Sequence, residues 1–518
     1  MPTKPTSARE IHHTSTMVKR KRDTTPATAT AAPASTAKGA STNTETANSS
    51  SATVYLQVIT GTYEKTLHGF IVNIPPPTST PTAATNASDD ISLPATFADT
   101  FLFAAHTSPL RTLAISPAGP NTKKRILATS SADERINLYT LSTALPPAST
   151  NSLPKPLSGR NRHLGTLHNH LNTPTSLIFT PNRNKLLSAG ADGQIQILRT
   201  RDWGVLSTLK VPKPKAKPVN YVKDYGEGYG PRIDTFGSEG YGGGSGAVND
   251  IALHPSQKIL LSVGAGERAV RMWNLMTGRK AGVLAFGKEV LPPRIGKEGT
   301  RVEWATDGES YAVAFDRGVI VFGMDSKPRV RIETGGRSKI HMMRYVRIPK
   351  GLLRQDADEV LVVSTEDGRV LFYSTTAEEL DSPILLGTLG GRSMGMPGRV
   401  KDFVIMRAEG RTFVITAGSD GVVRVFDLCG EGSGIEVEED EVEGGAGKKA
   451  KTEKVEERKK GDRQVGRLVG VYETARRITC MTAMLMQEGA EEEQGDEEMG
   501  EAGEEESSDE ESSDGDSE

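Results

Sequence analysis

Short apolar runs alternate with turn residues through the middle of the chain, roughly residues 53–487. The runs are rich in Val, Ile, Leu and Phe, and turn residues recur about every ten positions between them. Amphipathic stretches of helical length are scarce. Apolar runs this short, bounded by turn residues this often, indicate β-strands joined by tight turns. The pattern therefore predicts an all-β fold.

A unit of about forty residues repeats from residue 97 onward. Its first copies read AAHTSPLRTLAISPAGPNTKKRILATSSADERINLYTL and NHLNTPTSLIFTPNRNKLLSAGADGQIQILRTRDWGVLSTL, and four further copies follow. This length and strand content are typical of a WD-type blade, a four-stranded sheet that buries both faces against its neighbours. We expect residues 54–74 to pair with residues 467–487 and close the ring, because closure leaves no bare sheet edge. The sequence predicts a seven-bladed WD40 β-propeller over residues 53–487.

The turns of the repeats carry aspartates that have a structural explanation. A tight turn between the second and third strands needs positive φ, which Asp-Gly supplies at little cost. In WD-type blades this Asp also bonds to a His that precedes the first strand. Copies three to six lack that His, and Gly266 stands where the third copy would place its turn Asp. We assign a structural role in the blade turns to His106, Asp133, His170, Asp192, Asp367 and Asp420.

Two short motifs imitate catalytic signatures without the structural context that those signatures need. Residues 391–395 fit the G-x-S-x-G nucleophile elbow by letter, but no helix follows them and no acid and His are paired with Ser393. Residues 264–269 imitate a dinucleotide fingerprint, but a strand follows where a helix N-terminus is required. The chain has no phosphate-binding loop and no H-E-x-x-H sequence. We therefore expect a protein that is not an enzyme, with no catalytic, cofactor or metal site.

An enzymatic propeller is a further class of function to weigh. It would need convergent acids or metal ligands at the central channel, and the inner strands of the repeats offer mostly apolar residues there. The two cysteines, Cys429 and Cys480, lack metal-type spacing. Their small number and the absence of an apolar amino-terminal stretch indicate a reducing, intracellular setting. No window approaches the roughly 18 consecutive apolar residues of a membrane span, so we expect a soluble protein without membrane contact.

Charge is strongly segregated along the chain. The formal net charge is −3, yet residues 491–518 carry 16 acidic side chains and no Lys or Arg, which leaves +13 on the remainder. A basic body with an acidic tail is common in proteins that work around nucleic acid. The alternative is a solubilising tail on a mildly basic fold. Within the tail, the candidate phosphorylation sites for an acidophilic kinase are Ser507, Ser508 and Ser513.

The two ends of the chain differ in composition from the repeats. Residues 1–52 are mostly Thr, Ala and Ser, which cannot bury enough apolar surface to fold, and residues 488–518 are acidic, so we predict disorder for both. The basic cluster Lys19, Arg20, Lys21 and Arg22 in the amino-terminal arm predicts a nuclear localisation signal. A merely solvated run of charge is the alternative interpretation.

Three insertions interrupt the repeats, at residues 146–162, 211–245 and 431–463. The second mixes cations with aromatic residues, which can grip phosphate and stack on unpaired bases. The candidate RNA contacts in it are Lys213, Lys215, Lys217, Tyr221, Lys223 and Tyr225. A flexible loop is the alternative, because a Gly-rich composition alone gives this appearance. The third insertion is acidic first and then basic, and we expect it to leave the rim of the propeller.

Several segments resemble one known family of WD-repeat proteins. They are GTYEKTLHGF (61–70), AAHTSPLRTLAIS, LLSAGADGQIQIL, HPSQKILLSVG followed by VRMWNL, GRVKDF (398–403), SDGVVRVFDL and ARRITCM (475–481). Together they span nearly all of the predicted propeller. They resemble the WD-repeat factors of large-ribosomal-subunit assembly, whose animal members are also called PAK-interacting proteins after the p21-activated protein kinase.

The resemblance implies a scaffold of the nucleus and nucleolus that binds early pre-60S particles and is needed for maturation of the large subunit. The implied partners are pre-60S assembly proteins and, as a further candidate, pre-rRNA, with the chain present as a monomer within a large complex. The alternative function is negative regulation of a p21-activated protein kinase by a signalling adaptor in the cytoplasm. Localisation separates the two, because the cluster at residues 19–22 and the acidic tail predict accumulation in the nucleus.

Overall fold

The computed structural model describes residues 52–76, 93–119, 123–145, 161–212, 246–334, 338–353, 357, 359–377, 379–428 and 464–487. These residues form 28 strands in seven antiparallel sheets of four strands each. The one helical element among them is a single 3-10 turn, Arg392–Met394. The predicted fold class, an all-β propeller of seven blades, is confirmed.

The strands are numbered along the chain, and each sheet runs from an inner strand near the centre of the ring to an outer strand at the rim. Three sheets are β4 (Leu110–Ile115), β5 (Lys124–Ser131), β6 (Ile136–Ser142) and β7 (Arg162–Leu167); β8 (Pro174–Phe179), β9 (Lys185–Gly190), β10 (Gln194–Arg199) and β11 (Val205–Lys210); and β12 (Val248–Leu253), β13 (Ile259–Gly264), β14 (Ala269–Asn274) and β15 (Arg279–Ala285).

Three more sheets follow the same order along the chain. They are β16 (Arg301–Trp304), β17 (Ser310–Ala314), β18 (Gly318–Gly323) and β19 (Pro328–Glu333); β20 (Ile340–Val346), β21 (Val360–Thr365), β22 (Arg369–Ser374) and β23 (Leu385–Gly390); and β24 (Val400–Ala408), β25 (Arg411–Gly418), β26 (Val422–Leu428) and β27 (Arg467–Glu473). The seventh sheet closes the ring and consists of β28 (Ile478–Leu485), β1 (Val54–Thr62), β2 (Thr66–Ile74) and β3 (Thr96–Ala104).

The core lies between neighbouring sheets, because the middle strands of each sheet are apolar on both faces. In β17, Val313 packs in one cluster with the preceding sheet, while Ala312 and Ala314 pack in another with the following sheet. Successive side chains of a strand point to opposite faces, so one apolar run supplies two interfaces. This explains why the strands read as continuous apolar runs rather than as alternating ones.

The closing sheet joins the two ends of the described chain. In it β1 pairs with β28, from Leu56 opposite Leu485 to Thr62 opposite Ile478. Of residues 467–487, only the later part enters this sheet, since β27 completes the preceding one. Gly61 is required here because a Cβ at this position would lie 2.7 Å from the Cys480 sulfur.

Equivalent turns and connecting segments of all seven sheets lie on the same face of the propeller. The turns between second and third strands, and the segments that lead from an outer strand into the next inner strand, share one face, which we call the turn face. Each inner strand contacts the next around the ring, so the inner strands surround a central channel that opens on this face. No helix among the described residues is long and apolar enough to cross a membrane.

Candidate functional site

His106 connects three parts of its blade on the turn face. Its Nδ1 atom lies 3.1 Å from an Asp133 carboxylate oxygen, and its Nε2 atom lies 2.8 Å from the Thr129 hydroxyl. The backbone amide of Thr107 also donates to Asp133, at 3.0 Å. Both ring nitrogens are therefore used inside the blade, and the imidazole fixes the leading segment to the turn and to β5.

His170 repeats this arrangement in the next blade. Its ring nitrogens lie 3.1 Å from Asp192 and 2.8 Å from the Ser188 hydroxyl. Asp192 also accepts the amides of Leu171 and Gln194, each at 3.1 Å. Burial alone would raise the pKa of Asp192, but the hydrogen bonds from His170 and the two amides outweigh it and lower the pKa. The charged carboxylate is thus part of the folded blade.

The other two turn aspartates find an arginine instead of a histidine. Asp367 accepts a hydrogen bond from Arg369 Nε at 2.8 Å and another from the Thr365 hydroxyl. Asp420 lies 3.3 Å from Arg424 Nη1. In these two blades a nearby cation of the same sheet therefore neutralises the turn carboxylate.

Several residues singled out in the sequence lie outside the described residues, and the structure places none of them. They are the nuclear localisation cluster Lys19, Arg20, Lys21 and Arg22; the candidate RNA contacts Lys213, Lys215, Lys217, Tyr221, Lys223 and Tyr225; the candidate phosphorylation sites Ser507, Ser508 and Ser513; and nearly all of the three insertions.

Six of the seven inner strands carry a β-bulge at their second residue. The partner strand skips this residue in the ladder, and its side chain is at least partly exposed while the residue before it is buried. A bulge redirects a side chain out of the regular pleat. These six residues surround the channel mouth on the turn face: Arg111, Thr175, Asn249, His341, Lys401 and Thr479.

Cations crowd one half of this mouth. They come from four consecutive blades, at the start of β16, β20, β24 and β28 or just before them, and we call them the basic arc: Arg301, Lys339, Arg399, Lys401 and Arg477. Arg301 donates from Nε to the His341 carbonyl at 3.4 Å, which joins the first two of these blades. The Arg477 guanidinium lies 5.5 Å from the centre of the Tyr63 ring.

Three members of the arc form an ion pair, and the backbone amide of a fourth, Arg477, donates to a Glu64 carboxylate oxygen at 3.4 Å. Arg399 pairs with Glu366 at 2.9 Å, and Lys339 pairs with Asp316 at 3.8 Å. Arg301 lies 3.8 Å from Asp250. Lys401, in contrast, makes no ion pair with any residue that the structure describes. Lys401 is therefore a lysine without an ion-pair partner among the described residues, and it lies close to the other cations of the arc.

The arc changes the titration of the groups inside it. Burial and the positive charges of Lys401, Arg399, Arg301 and Lys339 lower the pKa of His341 to about 4. Burial and the charges of Arg399 and Arg477 lower the pKa of Lys401. The imidazole is therefore neutral near pH 7, and its Nε2 atom is buried without a hydrogen-bond partner among the described residues.

Below the arc the channel wall holds two acids, Glu303, which is partly buried, and Asp402, which is buried. Glu303 lies 3.7 Å from Arg344 on the next inner strand. Burial raises the pKa of Glu303 to about 7, against the opposing effect of Arg344. Asp402 accepts the amides of Phe403 and Met481, each at 2.9 Å, and burial raises its pKa. Asp402 thereby links β24 to β28.

The comparisons with known proteins agree with this architecture. The family model "WD domain, G-beta repeat" matches residues 161–198. The "p21-activated protein kinase-interacting protein 1-like" of Gallus gallus is 25% identical over 377 residues, which is 72% of this chain and 73% of that protein. "Protein MAK11" of Saccharomyces cerevisiae is 26% identical over 403 residues, 72% of this chain and 78% of that protein. The chain is a WD40 propeller. The resemblance stated from the sequence is confirmed by these relatives.

One further relative extends the comparison to another yeast. "Shk1 kinase-binding protein 15" of Schizosaccharomyces pombe is 23% identical over 327 residues, which is 63% of this chain and 70% of that protein. A WD40 propeller is typically a scaffold whose loops and faces bind other molecules. Within the described part of this propeller, no group of three or more His, Cys, Asp or Glu is arranged to hold a metal ion.

The expectation of a mostly apolar channel is wrong for half of this propeller. The inner strands β12, β16, β20 and β24 carry a charged group in the channel wall or at its mouth: Asp250, Arg301, Glu303, Arg344, Lys401 and Asp402. In the sequence these charged residues stand singly in short strands, and nothing in their local pattern distinguishes them from charged residues exposed on a surface. Only the ring brings them together, although the repeated sequences VND at 248–250 and VKD at 400–402 mark equivalent positions.

Proposed function

We propose that this protein is a non-catalytic scaffold for assembly and maturation of the 60S ribosomal subunit in the nucleolus. The observation that carries the proposal is the alignment with Protein MAK11, which spans 72% of this chain, on a seven-bladed WD40 propeller. The family resemblance in the blade sequences supports a role in large-subunit assembly. In this role the two faces of the propeller bind pre-60S assembly proteins.

The chemistry of the propeller supports a scaffold rather than an enzyme. The imidazoles of His106 and His170 each bond to an Asp and to a hydroxyl, and those hydroxyls, of Thr129 and Ser188, are fully buried inside the blade, out of reach of a substrate. Asp402 is fixed by two backbone amides, and Glu303 faces Arg344. These groups stabilise blade contacts, and we propose that none of them catalyses a reaction.

Segments outside the described residues give the scaffold its location and its contact with RNA in this proposal. The cluster at residues 19–22 directs import into the nucleus, and the lysines of residues 213–223 contact pre-rRNA. Contacts of this kind are mostly with phosphate, so the affinity falls steeply with salt. The acidic residues of 491–518 limit indiscriminate binding to nucleic acid.

Affinity purification of the tagged full chain at moderate salt, followed by gradient sedimentation, tests the proposal. We expect the chain to sediment with pre-60S particles that contain large-subunit precursor RNA. A variant with Gln at residues 19–22 should be expressed at the same level, but it should stay out of the nucleus and out of those particles. A light fraction that is free of precursor RNA would contradict the proposal.

A second function is favoured by the names of the relatives. The chicken relative is named for interaction with a p21-activated protein kinase, and the fission yeast relative for binding to the Shk1 kinase. In this alternative the propeller captures the regulatory segment of such a kinase in the cytoplasm and lowers its activity. Recovery of the kinase with the purified light fraction, and reduced phosphorylation of a kinase substrate on adding the chain, would support it.

A further inference from the structure

We propose that the basic arc binds an acidic peptide segment of a partner protein, and that a Glu or Asp carboxylate of this segment is held between Lys401 and Arg477. The inference rests on the docking role proposed above and names the chemistry of one docking site. It is carried by the geometry of the channel mouth, where four consecutive blades direct cations to one place.

The fold builds this site from the backbone upward. Lys401 is the bulged residue of β24, between Val400 and Asp402, which both stay in the ladder. Arg477 directly precedes β28, the neighbouring inner strand, and its backbone carbonyl accepts the amide of Tyr63 at 2.9 Å. The Tyr63 ring below the guanidinium further limits the positions that the Arg477 side chain can take. Lys401 and Arg477 thus lie on, or directly before, neighbouring inner strands; neither side chain forms an ion pair among the described residues, although Glu64 accepts the backbone amide of Arg477 at 3.4 Å.

Positive charge in this place is only partly balanced from within the propeller, by Glu366 and by Glu64. The lowered pKa of Lys401 reflects burial and repulsion by Arg399 and Arg477, which outweigh the attraction of Glu366. An incoming carboxylate relieves that repulsion and gains a charge-assisted hydrogen bond.

The alternation of charge around the mouth favours an acidic peptide over RNA. Glu366, Asp316 and Asp250 stand next to Arg399, Lys339 and Arg301. A nucleic-acid backbone carries a phosphate on every nucleotide, and a run of them would meet these acids as well as the cations. An extended peptide can place one or two carboxylates at the unbalanced cations and neutral residues beside the acids. The channel mouth therefore fits a peptide whose carboxylates are separated by neutral residues.

Fluorescence anisotropy with the full chain tests this assignment. The probe is a labelled synthetic peptide of about twelve Glu, Asp and Ser residues, and its counterpart has Gln and Asn in place of the acids. We expect the acidic probe to bind and the neutral counterpart not to bind. Lys401→Gln and Arg477→Gln should each weaken binding about tenfold, which corresponds to the loss of one charge-assisted contact.

The matched control is Arg294→Gln. Arg294 is an arginine on the turn face whose side chain is 71% exposed and which pairs with Glu333 at 2.7 Å, away from the channel mouth. The control should bind the probe as the unchanged chain does, and unfolding curves check that all variants fold. The charge reversal Lys401→Glu should lose the acidic probe. Equal affinity of the Lys401, Arg477 and Arg294 variants would overturn the proposal.

Two competition experiments separate the sources of the anion. Single-stranded RNA that displaces the acidic probe through Lys401 would overturn the assignment to a peptide. The chain's own acidic residues of 491–518 are the other candidate. If replacing them by Gln and Asn tightens probe binding more than about tenfold, the site belongs to the chain's own tail and not to a partner. Failure of the unchanged chain to bind the acidic probe, while it still sediments with pre-60S particles, would refute this inference alone.

Discussion

At the scale of single residues, His170 shows how the repeat uses its polar groups. The side chain is buried and bonds to a turn carboxylate and to a strand hydroxyl. Its removal leaves Asp192 and Ser188 without that partner inside the blade, and buried groups that lose a hydrogen bond are costly. We expect His170→Ala to lower the free energy of unfolding by about 2 kcal/mol in urea denaturation.

His168 offers a control in the same segment. It is exposed, and it stands two positions before His170. His168→Ala should leave the urea midpoint unchanged within error. If both substitutions lowered stability equally, the role assigned to the His170 hydrogen bonds would be incorrect.

Glu303 predicts a pH dependence of stability with a definite sign. Burial raises its pKa from an ordinary value of 4.5 to about 7, so between these values the folded protein keeps a proton that the unfolded chain has released. The contribution of Glu303 to stability is therefore greatest at low pH and falls as the pH rises through this window. Glu303→Gln should remove this fall, measured as the free energy of unfolding from about pH 5 to about pH 8.

His341 predicts the opposite sign and serves as the comparison. Its pKa is lowered to about 4, so between about 4 and 6.5 the unfolded chain binds a proton that the folded protein does not. Stability then rises with pH through this interval. His341→Gln should remove the rise. A pH profile that neither substitution changes would contradict the placement of both groups in the channel.

The sequence predicts some of these residues and not others for a physical reason. His106 and His170 each precede the first strand of a repeat and face the Asp of its turn, 27 residues later in one blade and 22 in the next, so the role in one blade predicts the role in the other. The basic arc has no such local signature, because its members lie on or before four separate inner strands, from Arg301 to Arg477, that come together only when these blades pack side by side. The cluster of charges at the channel can therefore be predicted only once the order of the blades in the ring is known.

At the scale of elements, the closing sheet depends on close contact between β1 and β28. A Cβ on Gly61 would lie 2.7 Å from the Cys480 sulfur and 2.9 Å from a Leu110 methyl group. We expect Gly61→Ala to destabilise the propeller by about 2 kcal/mol, the usual cost of overpacking a core. Thermal and urea unfolding measure the change.

Two further variants make this prediction specific. A Cβ on Gly282, in the outer strand β15, would meet no other atom within 4 Å, so Gly282→Ala should be neutral. Combining Gly61→Ala with Cys480→Ala should recover part of the lost stability, because the sulfur is removed. Equal effects of the two glycine substitutions would contradict the tight packing at the closing sheet.

The repeat pattern predicted the blades better than it predicted their edges. Apolar runs and Asp-Gly turns locate β9 and β10 or β25 and β26 directly in the sequence. The outer strand β3, with sequence TFADTFLFA, is half exposed and has no repeat partner nearby. Its place in the closing sheet follows from its pairing with β2, a contact that the local pattern does not encode.

At the scale of the whole molecule, the proposed RNA contact predicts a change in salt dependence. Replacing Lys213, Lys215, Lys217 and Lys223 by Gln should reduce the slope of log affinity against log salt by about 0.7 for each lysine that contacts single-stranded RNA. Filter binding of a single-stranded precursor fragment over a range of salt concentrations measures this slope.

The third insertion supplies a control with the same change of charge. A variant with Gln in place of Lys448, Lys449, Lys451 and Lys454 also loses four cations, but from a different segment. We expect this variant to keep the slope of the unchanged chain. Equal losses from both segments would mean that RNA senses net charge only, and the assignment to residues 213–223 would be wrong.

The central claim is that the propeller is a scaffold for the large ribosomal subunit. Its most direct test is depletion of the protein in its own cells, followed by gradient separation of the ribosomal subunits. We predict that free 60S subunits decline relative to 40S subunits and that large-subunit precursor RNA accumulates, with recovery on re-expression of the unchanged chain. An unaltered ratio of 60S to 40S subunits after depletion would contradict the account.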